Sequence, residues 1–324
     1  VYKHWSQDTN EINKKLNIIS DIVDGKVYQS NHFFTENSKA LRLILYQDAF
    51  EVCNPLGSSK KIHKVIAVYM VLANIPSYLR CQVDHIQLVA LGLESDIMKY
   101  GFSNMFSAII KDIKILETEG IVINTDTKET VKGSLIAMTG DNLGSHHIGG
   151  FTCNFSTSEY FCRYCHITKT EFENNVLKIS TTRSKYSYDL DVDLTHLTNE
   201  TSRGIKFNSV LNELQHFHVC QPGLPPCVGH DLFEGVVQYD LMLAIDYFVS
   251  KKFFTYETLN CHLHDFKFIN ESKFEKIPKI KKGDKLPGSA SENMRLLFIL
   301  PLVIYDLVDS WDSMEACTYF TPDM

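Results

Sequence analysis

The sequence predicts an α/β protein in which a sheet is followed by a largely helical region. Apolar runs typical of strands cover residues 40–50, 64–72, 85–91 and 132–141. A helical pattern of apolar residues over 95–119 separates the third run from the fourth. Helical patterns also begin near Asp231 and near Ser291. The predicted order of the first part is therefore strand, strand, strand, helix, strand.

The composition is that of a folded globular protein. The 324 residues are 44% hydrophobic and 22% charged, with a formal net charge of −7. The longest apolar run, 296–305, is much shorter than the roughly 20 residues that span a bilayer, so we expect no membrane segment. Because the chain is acidic, binding to an anionic polymer would require a local basic face.

The chain is expected to be an intracellular fragment of four parts. No secretory leader is visible at Val1, and nine scattered cysteines favour reduced thiols over a disulfide framework. The expected parts are a partial N-terminal segment at 1–37, a core at 38–175, a mainly helical insertion at 176–285 and a C-terminal helix at 286–324 that returns to the core. Within the insertion we expect Asp189, Asp191 and Asp193 to lie in a solvated loop.

Two acids follow the apolar runs at positions where a sheet could bring them together. Asp48 ends the first run, and Asp141 ends the fourth. Carboxylates at neighbouring strand ends can bind a pair of divalent cations such as Mg²⁺ or Mn²⁺, which favour phosphodiester chemistry. An Asp at a strand end is also a common turn residue, and this alternative stays open.

The closest cysteine pair is typical of half a zinc site. Cys162 and Cys165 have the two-residue gap that lets two thiolates bind one tetrahedral Zn²⁺. An incidental pair of thiols is the alternative, and a redox role is not favoured. The chemically suitable residues that could complete the site are His216, His218, Cys227, His230, His262 and His264.

A third acid could come from either of the two later helices. Glu234 lies four residues after His230 and three after Asp231, so these side chains can share one helical face. Glu292 is in the first turn of the final helix. Ordinary helix capping by these acids is the alternative.

Basic and histidine residues give weaker signals. Lys60, Lys61 and Lys64 follow the Asp48 turn, where they could contact a nucleic-acid backbone. The basic stretch 267–285 is interpreted as a solvated loop in preference to a DNA contact. We expect His146 and His147 to lie on the surface.

Taken together, five ordered sequence blocks resemble the DDE-type transposases of cut-and-paste DNA elements, in particular CACTA-like (En/Spm-related) members and animal transposon-derived proteins. The likeness extends over 38–310. The blocks are Leu45-Tyr46-Gln47-Asp48-Ala49-Phe50-Glu51-Val52-Cys53-Asn54-Pro55-Leu56-Gly57, Thr139-Gly140-Asp141-Asn142-Leu143, Phe161-Cys162-Arg163-Tyr164-Cys165, His230-Asp231-Leu232-Phe233-Glu234-Gly235-Val236-Val237 and Ser289-Ala290-Ser291-Glu292-Asn293.

This resemblance implies an RNase H-like mixed sheet flanked by helices, with a largely α-helical insertion. In that fold the first acid lies on the first strand and the second follows the fourth strand. The resemblance implies that Asp48 and Asp141 are metal ligands, and that Glu234, or alternatively Glu292, is the third.

The activity that the resemblance implies is two-metal cleavage and strand transfer at transposon ends, in the nucleus, by a homo-oligomer bound to DNA. Zn²⁺ would bind Cys162 and Cys165, with His216, His218 and His230 as candidate partners. Relatives carry an acid where this chain has Cys227. The alternative function is therefore a domesticated or decayed derivative that binds DNA or protein without cleavage and is stabilised by zinc.

Overall fold

The computed structural model describes residues 19–52, 64–123, 128–175, 177–266 and 277–308. The chain divides into two compact units, Val1–Pro225 and Pro226–Met324. The sequence placed divisions after residues 175 and 285, whereas the structure divides between two adjacent prolines. Proline removes a backbone donor and fixes φ, so a proline pair favours an interruption of regular structure.

A mixed four-stranded sheet forms the centre of the first unit. Its strands are β1 (Leu41–Glu51), β2 (Lys64–Leu72), β3 (Gln87–Leu93) and β6 (Gly133–Thr139), in the order β3-β2-β1-β6. β1 pairs antiparallel with β2 and parallel with β6, and β2 pairs antiparallel with β3. All four predicted strands are confirmed. The third starts at Gln87 because Val83–His85 forms a 3₁₀ turn.

Short helices and one long helix surround this sheet. The helices of the first unit are α1 (Lys26–Gln29), α2 (His32–Glu36), α3 (Ser77–Arg80), α4 (Glu94–Tyr100), α5 (Phe102–Thr118), α6 (Asn142–Ile148), α7 (Lys169–Asn174) and α8 (Lys185–Thr198). A two-stranded ribbon pairs β4 (Ile121–Val122) with β5 (Thr130–Val131). The single predicted helix over 95–119 is two helices, because Gly101 has a φ of 84° and separates α4 from α5.

The core of the first unit lies between one face of the sheet and α5. Alternate β1 residues, Leu43 and Leu45, are buried in one cluster with Phe106, Ile110 and Ile113 of α5. The spacing of these α5 residues produces one apolar stripe. Complete burial of such a side chain stabilises the fold by about 1.5–3 kcal/mol.

The solvated loop predicted for the acidic cluster is wrong. Asp189, Asp191 and Asp193 lie on α8, where Asp191 is completely buried. Asp191 Oδ1 is 2.7 Å from Arg203 Nε, and its Oδ2 is 3.7 Å from Arg183 Nη1. The two guanidinium groups offset the cost of burying the carboxylate.

The second unit is helical and has its own core. A π-helix at Val228–Val236 leads into α9 (Val237–Ser250). It is followed by α10 (Tyr256–Asp265) and α11 (Ala290–Val303). Leu241 and Ile245 of α9 pack in one buried cluster with Leu300 of α11. The helices predicted near Asp231 and Ser291 are confirmed, although Gly235 interrupts the first with non-helical φ and ψ angles. None of the described helices combines the length and hydropathy needed to cross a bilayer.

Candidate functional site

Asp48 and Asp141 lie shortly after the region in which β1 and β6 pair. The last parallel pair between β1 and β6 is Tyr46 with Thr139. Each aspartate follows its member of that pair by two residues. Asp48 is still within β1, whereas Asp141 lies beyond the end of β6. Asp48 shares the exposed face of β1 with Tyr46 and Phe50. β1 continues to Glu51, so Asp48 lies within the strand and the predicted position at its end is wrong. That the two carboxylates converge stays a prediction.

Asp141 is held by the turn that follows β6. It is the N-cap of α6, and its Oδ1 accepts a hydrogen bond of 2.6 Å from the Gly144 backbone N–H. The other carboxylate oxygen takes no part in that bond. A Cβ at Gly144 would lie 2.9 Å from Asp141 Oδ1 and 2.7 Å from Gln47 Nε2, so a side chain there would displace at least one of these groups. Asp141 can therefore form the turn through one carboxylate oxygen and still serve as a metal ligand through the other.

Gln47 is a site residue that the sequence analysis did not identify. Its side chain is on the buried face of β1, opposite to Asp48, and packs against the Gly140–Gly144 turn. Its Oε1 is buried and has no hydrogen-bond partner among the described residues. The available signal was a polar residue at a core position of an apolar strand, directly before the first acid. Gln47 therefore packs against the turn from the buried face of β1.

Of the two α6 histidines that were expected on the surface, one is buried and the other is half-buried. His146 is 3% exposed, its Nδ1–H donates to the Thr152 carbonyl at 2.7 Å, and burial lowers its pKa to about 4. His147 is half-buried, and burial is also the main cause of its lowered pKa. The charge of Lys206 lowers that pKa further, whereas Glu94 and Asp141 oppose the shift. His147 thus lies within electrostatic range of Asp141, and the predicted surface position is wrong for His146.

Both candidates for the third acid belong to the second unit and meet at the start of α11. Glu234 Oε1 accepts a hydrogen bond of 3.1 Å from the Ala290 backbone N–H. Glu292 forms a capping box with Ser289, accepting bonds of 2.7 Å from its N–H and 2.9 Å from its hydroxyl. Capping is therefore a role that both carboxylates have in the structure.

A series of polar contacts runs from Cys227 through His230 to Glu234. Cys227 Sγ lies 3.0 Å from His230 Nδ1, and His230 Nε2 lies 3.7 Å from Glu234 Oε2. Asp231 Oδ2 accepts a hydrogen bond of 2.9 Å from the Cys227 backbone N–H. These contacts place the thiol and the imidazole of this segment side by side in the second unit.

The two cysteines of the predicted zinc half-site are neighbours in a well-anchored loop. The pKa of Cys165 is raised, first by burial and then by the Cys162 thiol beside it. Cys162 Sγ accepts a bond of 3.3 Å from the Tyr164 N–H. The guanidinium of Arg183 acts electrostatically on both thiols and on Cys220, a third thiol whose pKa burial raises to about 12. Cys220 was not among the predicted ligands.

The histidines predicted to complete that site have other contacts. His216 stacks on Phe33 with ring centroids 4.4 Å apart. His218 is 2% exposed, accepts the Cys220 N–H at its Nδ1, and has its Nε2 3.5 Å from Asp189 Oδ1. Across the described ranges, no three His, Cys, Asp or Glu side chains are grouped closely enough to hold a metal ion.

Of the predicted DNA-contacting lysines, only Lys64 lies within the described residues. Its Nζ is 3.9 Å from Glu94 Oε1, and its side chain is 34% exposed. Lys60 and Lys61 lie outside the described residues, as does the first half of the basic stretch 267–285.

A comparison with protein-family models finds no match for this chain, and a comparison with curated proteins finds none either.

Proposed function

We propose that the chain is the catalytic core of a DDE-type DNA transposase with an RNase H-like sheet. The observation that carries this proposal is the register of β1 and β6, whose last pair, Tyr46 with Thr139, lies two residues before Asp48 and two before Asp141. In chain order, Asp48 lies on the first strand of the four-stranded sheet, and Asp141 directly follows its fourth. This is the arrangement that the transposase resemblance implies.

Asp48 and Asp141 would hold Mg²⁺ or Mn²⁺, with Glu234 as the third acid and Glu292 as its alternative. Carboxylate oxygens are the donors that these hard cations prefer, so the residues fit the group. When bound, the cations supply a nucleophile from water and stabilise charge at phosphorus. Asp48 contributes an exposed carboxylate, and Asp141 contributes one oriented by the Gly144 N–H.

The two thiols of Cys162 and Cys165 would hold a structural Zn²⁺. Their proximity supports a half-site, and thiolate is a preferred zinc donor. His216, His218 and His230 remain the proposed partners, although each has the contacts described above. A shift of their side chains would be needed for His216 and His218 to coordinate metal.

The substrate of this activity would be DNA, cut at transposon ends and joined to a target. Lys64, with Lys60 and Lys61, would contact the phosphate backbone, and the binding would weaken steeply with salt. A homo-oligomer in the nucleus would bring two ends together.

Two substitutions test the proposal. Asp48→Asn and Asp141→Asn should each reduce Mn²⁺-dependent nicking of labelled transposon-end DNA by a factor on the order of a thousand, because each removes a metal ligand. Asp193→Asn, an exposed acid on α8, is the matched control and should cut as the unmodified chain does. Nicking that is unchanged in Asp141→Asn would reject the assignment.

The second candidate function is a derivative that binds DNA or protein without cutting it. It is favoured by the Cys227 thiol beside His230, at a position where relatives carry an acid. DNA binding that is retained without nicking, and that Asp141→Asn leaves unchanged, would support this candidate over the enzyme.

A further inference from the structure

Arg163, between the two cysteines of the Cys162–Cys165 loop, is a buried cation with unsatisfied donors. It is 6% exposed, and its Nε and Nη2 have no hydrogen-bond partner among the described residues. The guanidinium lies over the Tyr164 ring, 4.5 Å from the centroid. Burying a guanidinium with unpaired N–H groups costs free energy. The hydrogen bond that Arg163 does make therefore needs a structural or functional reason.

That contact reaches the helix that follows the second acid. Arg163 Nη1 donates a hydrogen bond of 2.7 Å to Asn142 Oδ1. Asn142 is the first residue of α6 and directly follows Asp141. The Asp141 carboxylate is bonded to Gly144 within the same turn. Arg163 therefore makes a tertiary contact with the first turn of α6, and Asp141 caps the same turn.

The loop that carries Arg163 is itself fixed. Arg183 Nε donates to the Cys162 carbonyl at 3.0 Å, and the Arg183 backbone N–H donates to the Tyr164 carbonyl at 2.8 Å. The Tyr164 hydroxyl donates to the Leu224 carbonyl at 3.2 Å. With both of its neighbours anchored, Arg163 has a defined position from which to hold Asn142.

We propose that Arg163 is a positioning residue for Asp141. Through Asn142 it fixes the turn that orients the Asp141 carboxylate, and it connects the Cys162–Cys165 loop to the acidic site. This inference rests on the proposed function of Asp48 and Asp141. Loss of a residue that orients a metal ligand typically weakens the affinity for the metal by about 10- to 100-fold.

The test is a double-mutant cycle on Mn²⁺ binding to the full chain, measured by calorimetry alongside the melting temperature. Asn142→Ala and Arg163→Lys should each raise the Kd for Mn²⁺ by about ten-fold, as is typical for loss of a residue that orients a ligand. The double variant should bind no more weakly than the weaker of the two single variants, because both substitutions act on the same hydrogen bond. Fully additive losses would overturn the proposal.

Arg80→Lys is the matched control. Arg80 is a partly buried arginine that donates to Asp21 and to the Ile75 and Ala73 carbonyls. It should lower the melting temperature and leave the Mn²⁺ Kd unchanged. A similar rise in Kd for Arg80→Lys would mean that Arg163 acts only on stability, and would overturn the proposal.

Asp141→Asn separates this inference from the proposed function. If Asp141→Asn abolishes Mn²⁺ binding while Asn142→Ala binds as the unmodified chain does, the Arg163 proposal fails and the metal site stands. If Asp141→Asn still binds Mn²⁺ normally, the proposed function fails. Should Arg163→Lys not fold, Asn142→Ala alone decides the outcome.

Discussion

Gln47 and Gly144 determine the position of an acid although neither residue is ionisable. Gln47 lies beneath the turn, and Gly144 leaves room for both the glutamine amide and the Asp141 carboxylate. The sequence identifies Asp141 because an acid at the end of an apolar strand is a recognisable pattern. It does not identify Gln47, because its role depends on a contact between segments that lie almost a hundred residues apart.

His146 should make the stability of the protein depend on pH. Burial lowers its folded-state pKa to about 4, compared with 6.5 for an unperturbed histidine. As the pH falls through 6.5 the unfolded state takes up a proton that the folded state does not, so stability is lost between pH 6.5 and about 4. The loss from this residue should be about 3 kcal/mol in the free energy of unfolding.

Urea denaturation at pH 7 and pH 4.5 measures this effect. His146→Gln should weaken the pH dependence, whereas the exposed His196→Gln should leave it unchanged. Part of the dependence should persist in His146→Gln, because burial also lowers the pKa values of His147, His166 and His218. An identical pH dependence in His146→Gln and the unmodified chain would contradict the burial of this imidazole.

At the scale of elements, the sequence predicts the strands well and the acidic segment poorly. β1, β2 and β6 are short apolar runs bounded by turn residues, so their length and flanking residues predict strands from the local sequence. The 189–193 segment has three acids, which favours a solvated loop. The partners that allow burial, Arg183 and Arg203, flank α8 in sequence, but their convergence on Asp191 depends on the folded arrangement.

Asp191→Asn should destabilise α8 strongly. It would remove the charge that offsets two guanidinium groups, one of them buried, and breaking such a pair costs about 3–5 kcal/mol in the free energy of unfolding. Asp193→Asn on the same helix is exposed and should change stability by less than about 0.5 kcal/mol. Equal denaturation midpoints for the two variants would contradict the buried ion cluster.

The two units of the whole molecule have separate hydrophobic clusters, which the four-part division predicted from sequence did not anticipate. The sequence-based division places a boundary at residue 175. The structure instead keeps α8 and the chain to Pro225 with the sheet, since Tyr188 and Val192 belong to the same core as β1. Such long-range packing leaves little trace in local sequence.

Leu300→Ala should therefore weaken the second unit selectively. Leu300 is completely buried, and its truncation should cost about 2–5 kcal/mol. Hydrogen exchange should show faster exchange in α9 and α11, with the amides of β1 and β2 unchanged. Leu302→Ala, which alters an exposed residue of the same helix, should change neither. Equal acceleration in β1 would show that the two cores unfold together.

The central claim is that Asp48 and Asp141 together bind divalent cations. Anomalous diffraction from crystals soaked in Mn²⁺ tests it most directly. We expect an anomalous peak within coordination distance of both carboxylates, and loss of that peak in Asp141→Asn crystals. A peak that contacts neither residue, or carboxylates that point away from each other in the presence of Mn²⁺, would contradict it.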